Sequence, residues 1–427
     1  MLNDLRSHGL WEMSAAPAPS TASLVGDLSA DVVIIGGGFT GLSAALHLAS
    51  SGTNAVVLEG VEIGFGASGR NAGLVNAGLW LPPAKVMEGF GPTYGDRMLT
   101  LLGDAPKLVF DIIERNQISC EVQRSGTLHC AVGAAGVEEL EQRTEQWAAR
   151  GAAVRLLDAE ETAAKTGTTV FSASLLDDRA GTIQPLGYVR GLARAAINAG
   201  AQVFTNSPVI GADRQGTKWV VKTSSGTVTA DWILVATNSY TVSPWNEIRA
   251  ELVVLSYFQF ATTPLEGKLL ASILPERQGA WDTRQVLSSF RFDKAGRLIV
   301  GSVGALQGTG ATVHEAWARR AIRKLFPDFG PIEFEAGWYG RIGMTSDDLP
   351  RLHRLDHNVI SFSGDNGRGI GPGTAFGRVL AQYINGAMTE DDLPMPITDP
   401  KSQSFGAIRE AYYELGAQAA HFVDARF

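Results

Sequence analysis

The alternation of apolar and polar positions divides the chain into short strands and longer helices. Val32 to Ile35 is a continuous apolar run, the pattern of a strand buried on both faces of a parallel sheet. From Leu42 to Ala49 the pattern turns alanine- and leucine-rich and helical. Gly52 ends it, and Ala55 to Leu58 forms a second apolar strand. Residues 84–150 read mainly as helix, with Leu99, Leu102, Leu108, Phe110 and Ile113 in the apolar positions. A strand at Gly126–Val132 and a charged amphipathic helix at Val137–Arg150 follow. A helix at Tyr188–Ile197 leads into a strand at Gly200–Phe204. Lys218–Thr229 reads as a meander, and Asp231–Tyr240 as a buried strand leaving on a small-residue turn. Strands are expected at Leu252–Phe260, Arg284–Phe292, Arg297–Ser302 and Val359–Gly364. Helices are expected at Glu315–Phe326, Thr374–Asn385 and Ser404–Phe422. No internal repeat is visible.

Between the first strand and helix, Gly36, Gly38 and Gly41 give the G-x-G-x-x-G spacing. The first glycine permits a tight turn, the second a close approach to a pyrophosphate, and the third close helix–strand packing. The helix N-terminus aims free N–H groups at the phosphates. Glu59 follows at 59 − 41 = 18 positions, where an acid meets a ribose hydroxyl. Gly64-Phe-Gly-Ala-Ser-Gly-Arg-Asn-Ala-Gly73 is too glycine-rich for helix or strand. Such bare backbone suits close contact with a flat polar ligand.

Composition narrows the function. The 427 residues carry 36 basic and 44 acidic side chains, a net charge of −8, which argues against nucleic acid as a partner. Cys120 and Cys130 form no CxxC pair, in keeping with a reduced, cytoplasmic compartment. No apolar stretch approaches the roughly 20 residues of a membrane span. The seven histidines are scattered along the chain and no metal site is expected, and G-x-S-x-G is absent. His129 reads as a sheet-face histidine. Redox chemistry on a bound cofactor is what remains.

The first strand–turn–helix, Glu59 and the GASGRNAG loop together resemble flavin-dependent amine oxidoreductases related to D-amino-acid and sarcosine oxidases. Within these, the likeness is to the γ-glutamylputrescine and L-pipecolate oxidase-like subgroup. The resemblance implies an α/β fold: a Rossmann-type FAD-binding domain from discontinuous segments, and an α+β substrate domain with an antiparallel sheet. The expected division is a leader at 1–26, an FAD domain at 27–85, 150–245 and 335–390, a substrate domain at 86–149 and 246–334, and a tail at 391–427. It implies FAD contacts from Gly36, Gly38, Phe39, Thr40, Gly41 and Glu59, and from Gly66, Ala67, Ser68, Gly69, Arg70, Asn71, Ala72 and Gly73. Val209, Thr237, Gly340, Asn366, Gly367, Arg368, Gly369 and Ile370 complete the expected set. The flavin is expected to be non-covalent, because the cysteine that attaches it in sarcosine-oxidase-like members has no counterpart near residues 341–345. Gly371 stands where oxygen-using members carry a lysine, which points to a quinone-type acceptor as well as oxygen.

An amine substrate needs only hydride transfer to flavin N5, leaving an imine. A carboxylate on it calls for an arginine fork. Arg341 and Arg284 rank first, followed by Arg368, with Arg70 and Arg291 also in the motif regions. Tyr257, Phe258 and Trp281 are candidate apolar walls. The expected substrate is an amine or a cyclic imino acid such as L-pipecolate, with a γ-glutamylated polyamine as the near alternative. A nicotinamide-dependent dehydrogenase and a non-catalytic flavoprotein subunit are the competing classes. The tail helix offers one surface for peripheral contact with the inner face of a membrane or with a quinone. Oligomeric state is left open.

Overall fold

The computed structural model describes residues 8–403 and 406–424. The first seven residues of the expected leader, and Ser404 and Phe405 at the start of the expected tail helix, lie outside the described residues.

Two sheets carry the fold. In the first, five parallel strands run in the order Val359–Ser363, Gly226–Val235, Gly26–Ile35, Ala55–Leu58, Gln202–Phe204. The apolar run at 32–35 is explained by burial on both faces. Val32 and Ile34 pack among the helices Phe39–Ser50, Pro185–Asn198 and Ile370–Ile384. Val33 and Ile35 face the opposite core with Val228, Ile233 and Trp219. The turn after the first strand needs its glycines. Gly36 has φ +110°, and a Cβ on Gly41 would lie 2.1 Å from the Gly36 carbonyl oxygen.

The second sheet has eight strands in the order Phe334–Met344, Val253–Pro264, Arg297–Val303, Ser288–Phe292, Gly279–Asp282, Thr127–Cys130, Ser174–Asp177, Val154–Leu157. All pairings are antiparallel except Gly279–Asp282 with Thr127–Cys130. One face buries Phe258, Phe260, Phe290 and Val300 against Trp317 and Ile322 of the helix Thr309–Leu325. The other face looks toward the first domain.

This pairing moves the expected domain boundaries. Residues 154–177, expected with the nucleotide domain, form two strands of the second sheet. Phe334–Met344, also expected there, pairs along its length with Val253–Pro264. Conversely, the helices Pro83–Gly103 and Ala105–Arg115 bury Leu102, Val109 and Phe110 in the core shared with Ile370–Ile384, not under the second sheet. Two elements also shift. The strand expected from Arg284 begins at Ser288, because Asp282 accepts from the backbone of Arg284 and Ser288 and turns the chain there. The helix expected from Thr374 begins at Ile370, with Pro372 tolerated in its first turn.

We expect Gly41→Ala to lower stability by on the order of 1–3 kcal/mol, because the added methyl meets backbone rather than a movable side chain. The denaturant midpoint of the variant measures this. A midpoint equal to the parent's would contradict the packing described.

Candidate active site

The loop 64–73 lies between the two sheets and borders two cavities. One, of about 390 Å³, is lined by the turn Gly36–Thr40, Glu59, Val209, Thr237 and Asp365. The other, of about 680 Å³, is walled by the second sheet, Arg368 and the C-terminal helix Gly406–Val423. Ala67, Asn71, Arg341, Ile342, Gly367 and Gly369 line both, so the two cavities share one wall.

The smaller cavity is built from backbone. Ser68 Oγ accepts from the Phe39 N–H at 3.1 Å, at the first residue of the helix Phe39–Ser50. A Cβ on Gly38 would lie 2.9 Å from that same oxygen. Glu59 accepts from Gly37 N at 2.7 Å and Val61 N at 3.0 Å. Burial raises its carboxyl pKa, and these two N–H bonds oppose the rise. Asn238 ties two turns together. Its Nδ2 donates to Asp365 Oδ2 at 3.0 Å, and its Oδ1 accepts from Gly364 N at 3.0 Å. Burial lifts the Asp365 carboxyl to about 6.

The larger cavity takes its inner wall from alternate residues of two paired strands. Val253, Leu255 and Tyr257 stand opposite Met344, Ile342 and Gly340, and all six line it. Trp80 and Trp281 add aromatic surface, with ring centroids 5.3 Å apart. Tyr257 O–H pairs with Ser289 Oγ at 2.7 Å, and burial pushes its phenol up, so it keeps its proton at neutral pH. Arg368 donates to the Ala77 carbonyl and lies over Trp281 at 5.2 Å. Burial lowers its pKa to about 9.

Most of the expected residues meet here. Gly36, Gly38, Phe39, Thr40, Glu59, Gly66, Ser68, Val209 and Thr237 line the smaller cavity. Arg70, Ala72, Gly340, Asn366, Arg368, Ile370 and Tyr257 line the larger. Four residues fall outside both. Gly41, Gly69 and Gly73 serve packing: a Cβ on Gly69 would meet the Gly64 carbonyl at 2.3 Å, and one on Gly73 the Ile183 carbonyl at 2.2 Å. Arg284 is not a clamp. Its Nη1 is paired with Asp424 at 2.7 Å, away from the cavity. His129 stacks behind Trp281 with centroids 3.4 Å apart, and burial holds its pKa well down.

The family model for FAD dependent oxidoreductases matches residues 31–383. The chain belongs to that family. It is 32% identical to the gamma-glutamylputrescine oxidoreductase of Escherichia coli, over 91% of this chain and 93% of the relative. It is 31% identical to a probable oxidoreductase, OrdL, of Rhizobium meliloti, over 90% and 89%. Among solved structures, glycine oxidase from Geobacillus kaustophilus superposes with a TM-score of 0.68 at 19% identity, covering 85% of this chain and 96% of that one. L-proline dehydrogenase from P. horikoshii superposes at 0.70 and 18%, covering 85% and 95%.

The cofactor of this oxidoreductase is therefore FAD, which sets aside the nicotinamide alternative. The residues fit it, with a glycine turn at a helix N-terminus and a buried acid in one cavity that shares a wall with a second. Cys120 and Cys130 are buried and line neither of these two cavities. Sequence reasoning missed Asn238 and Asp365, whose partners lie 126 and 127 positions apart. It also missed that Arg409, Tyr412 and Tyr413 of the C-terminal helix line the larger cavity. The amphipathic pattern of this helix was the signal, since it marks one face that packs against the protein and one that meets solvent.

Glu59→Ala should weaken FAD retention by about one to two decades, from the loss of hydrogen bonds worth on the order of 1–3 kcal/mol. FMN affinity should change little. Equilibrium dialysis against each flavin measures both, and equal losses would show that Glu59 acts on the turn alone.

Proposed function

We propose that the oxidoreductase converts an amine bearing a carboxylate to its imine, with a γ-glutamylated diamine as the first candidate. The observation that carries this reading is the larger cavity: apolar and aromatic walls with four arginines, Arg70, Arg341, Arg368 and Arg409, against one acid, Asp348. Such an excess of positive charge favours an anionic group on the substrate. The full-length likeness to a gamma-glutamylputrescine oxidoreductase supports the diamine. A cyclic imino acid such as L-pipecolate is the second reading, favoured by the aromatic pair Trp80 and Trp281 beside Tyr257.

In this reading Gly36–Thr40, Glu59 and Val209 hold the adenosine diphosphate half of FAD, and Gly340 with Asn366–Ile370 holds the flavin. FAD, when bound, accepts the hydride from the carbon that carries the amine. The sheet wall and the tryptophans exclude water from that carbon. Tyr257 orients the substrate through its bond to Ser289 and is no base, because burial keeps it protonated. Arg368 is spent on Ala77 and Trp281, which leaves Arg341 as the clamp nearest the shared wall.

We expect γ-glutamylputrescine to bleach the bound flavin under anaerobic conditions faster than L-pipecolate or L-proline. Absorbance at the flavin band checks this. Failure of every amine and imino acid tested would favour a non-catalytic flavoprotein.

The electron acceptor in our reading is quinone-like. No cation stands at Gly371, where a Cβ would already lie 3.2 Å from Ala105 Cβ and 3.3 Å from the Asn76 carbonyl, and Arg368, the one cation of this loop, is held by the Ala77 carbonyl and the Trp281 ring. A positive charge beside the reduced flavin would stabilise incipient superoxide. The C-terminal helix exposes Ile408, Leu415 and Phe422, a surface for contact with a membrane-borne acceptor. No helix among the described residues is long and apolar enough to cross a membrane. We expect stopped-flow reoxidation of substrate-reduced protein by air to be at least tenfold slower than turnover with an artificial dye. Reoxidation by air at the turnover rate would restore a plain oxidase.

A further inference from the structure

The C-terminal helix Gly406–Val423 completes the larger cavity, and its faces do different work. One row of polar side chains fastens it to the second sheet and the helix Thr309–Leu325. Glu410 accepts from Val254 N at 2.9 Å and from Arg249 at 2.7 Å. Glu414 accepts from Ala305 N at 3.1 Å. His421 bonds Ser302 Oγ at 3.0 Å and His314 at 2.8 Å. Arg409, Tyr413, Ala417 and Ala420 follow at helical spacing on the neighbouring row, and all four line the cavity.

Arg409 differs from two other arginines that hold this helix. Arg249 and Arg284 each hold a carboxylate, at 2.7 Å in both cases. Arg409 has only a neutral amide, Gln403 Oε1 at 2.7 Å, and no carboxylate within ion-pair reach among the described residues. It is also placed apart from the shared wall. Arg341 lines both cavities, but Arg409 lines the larger alone. The bond from Val254 to Glu410 puts Arg409 at the Val253 end of the sheet wall. Gly340 and Tyr257 mark the other end, where a Cβ on Gly340 would lie 3.1 Å from Arg70 Cβ in the glycine loop. Tyr257 stands four residue steps along the strand from Val253, about 13 Å at roughly 3.3 Å per step.

We propose that Arg409 forms an outer subsite that binds a carboxylate carried at the far end of an elongated substrate from the amine that is oxidised. The inference rests on the amine reading above and narrows it. A compact amino acid places its carboxylate one carbon from the amine and cannot reach from the Gly340 end to Arg409. A γ-glutamylated diamine can, because its amide-linked chain separates the two groups by about the length of this wall. Tyr413, one turn along from Arg409, bounds the same subsite.

The test uses the full-length, FAD-loaded protein and its Arg409→Gln and Arg409→Lys variants. Two probes share the reacting amine: γ-glutamylputrescine, and N-acetylputrescine, which lacks the carboxylate. In Arg409→Gln the ratio of kcat/KM for the first over the second should fall at least tenfold, chiefly through KM. Arg409→Lys should restore part of it. An unchanged ratio would overturn the subsite. A second measurement does not depend on turnover. Glutarate should bind the FAD-loaded parent protein in isothermal titration calorimetry, with a dissociation constant at least tenfold higher in Arg409→Gln. No binding to the parent, or equal binding to both, would overturn the subsite. If the parent oxidises neither amine but loses glutarate on substitution, the amine reading fails and the carboxylate subsite stands.

Discussion

The structure depends on how the carbonyls of the glycine loop 64–73 are satisfied. Gly64, Gly69, Arg70 and Gly73 of this loop are buried and the rest are partly buried, so the carbonyls turned away from the cavities need partners from the protein. Four distant side chains supply them. Gln259 and Trp338 of the second sheet both donate to the Arg70 carbonyl, at 2.6 and 3.1 Å. Trp11 donates to the Asn71 carbonyl at 2.9 Å. Arg291 donates to Gly73 at 3.0 Å and Ile183 at 2.6 Å, at the cost of a buried guanidinium whose pKa falls to about 10. On the other side, Ser68 holds the first helix of the nucleotide domain. The loop is thus the joint between a domain that grips a cofactor and a sheet that walls a substrate. A leaving carbonyl would cost about 1–3 kcal/mol unpaired, so the joint is stiff.

That joint sets the geometry of the chemistry. Because both cavities share Ala67, Asn71, Gly367 and Gly369, a ligand that spans them is held by one rigid partition. The second sheet then offers alternate residues of two strands as a continuous apolar surface, and register alone decides which side chains face it. A one-residue slip of Val253–Pro264 would turn Phe258 and Phe260 into the cavity and Tyr257 toward the helix Thr309–Leu325.

Local requirements were the legible part. Gly36, Gly38 and Gly41 read as a turn because their backbone conformation and close contacts are set within a few residues. Glu59 read by spacing alone. The partners of the glycine loop were not legible, since Trp11, Gln259, Arg291 and Trp338 carry no motif and act across the fold. Arg284 was ranked as a clamp from its neighbourhood in the chain, and Asp424, 140 positions on, takes it instead. Domain boundaries failed for the same reason. Phe334–Met344 looks like any buried strand until its pairing with Val253–Pro264 is seen.

Both thiols lie in packed interior. Burial pushes Cys120 to about 12 and Cys130 well above its usual value. Peroxides and alkylating reagents attack thiolates, which are nearly absent here at neutral pH. A flavoprotein that leaks electrons to oxygen produces its own oxidant, and these two residues are kept out of its reach by packing alone. Their reaction with a thiol label therefore times the opening of the fold, Cys120 from the core beside the nucleotide domain and Cys130 from the core under the second sheet. With one label the two halves of the molecule can be watched as they come apart.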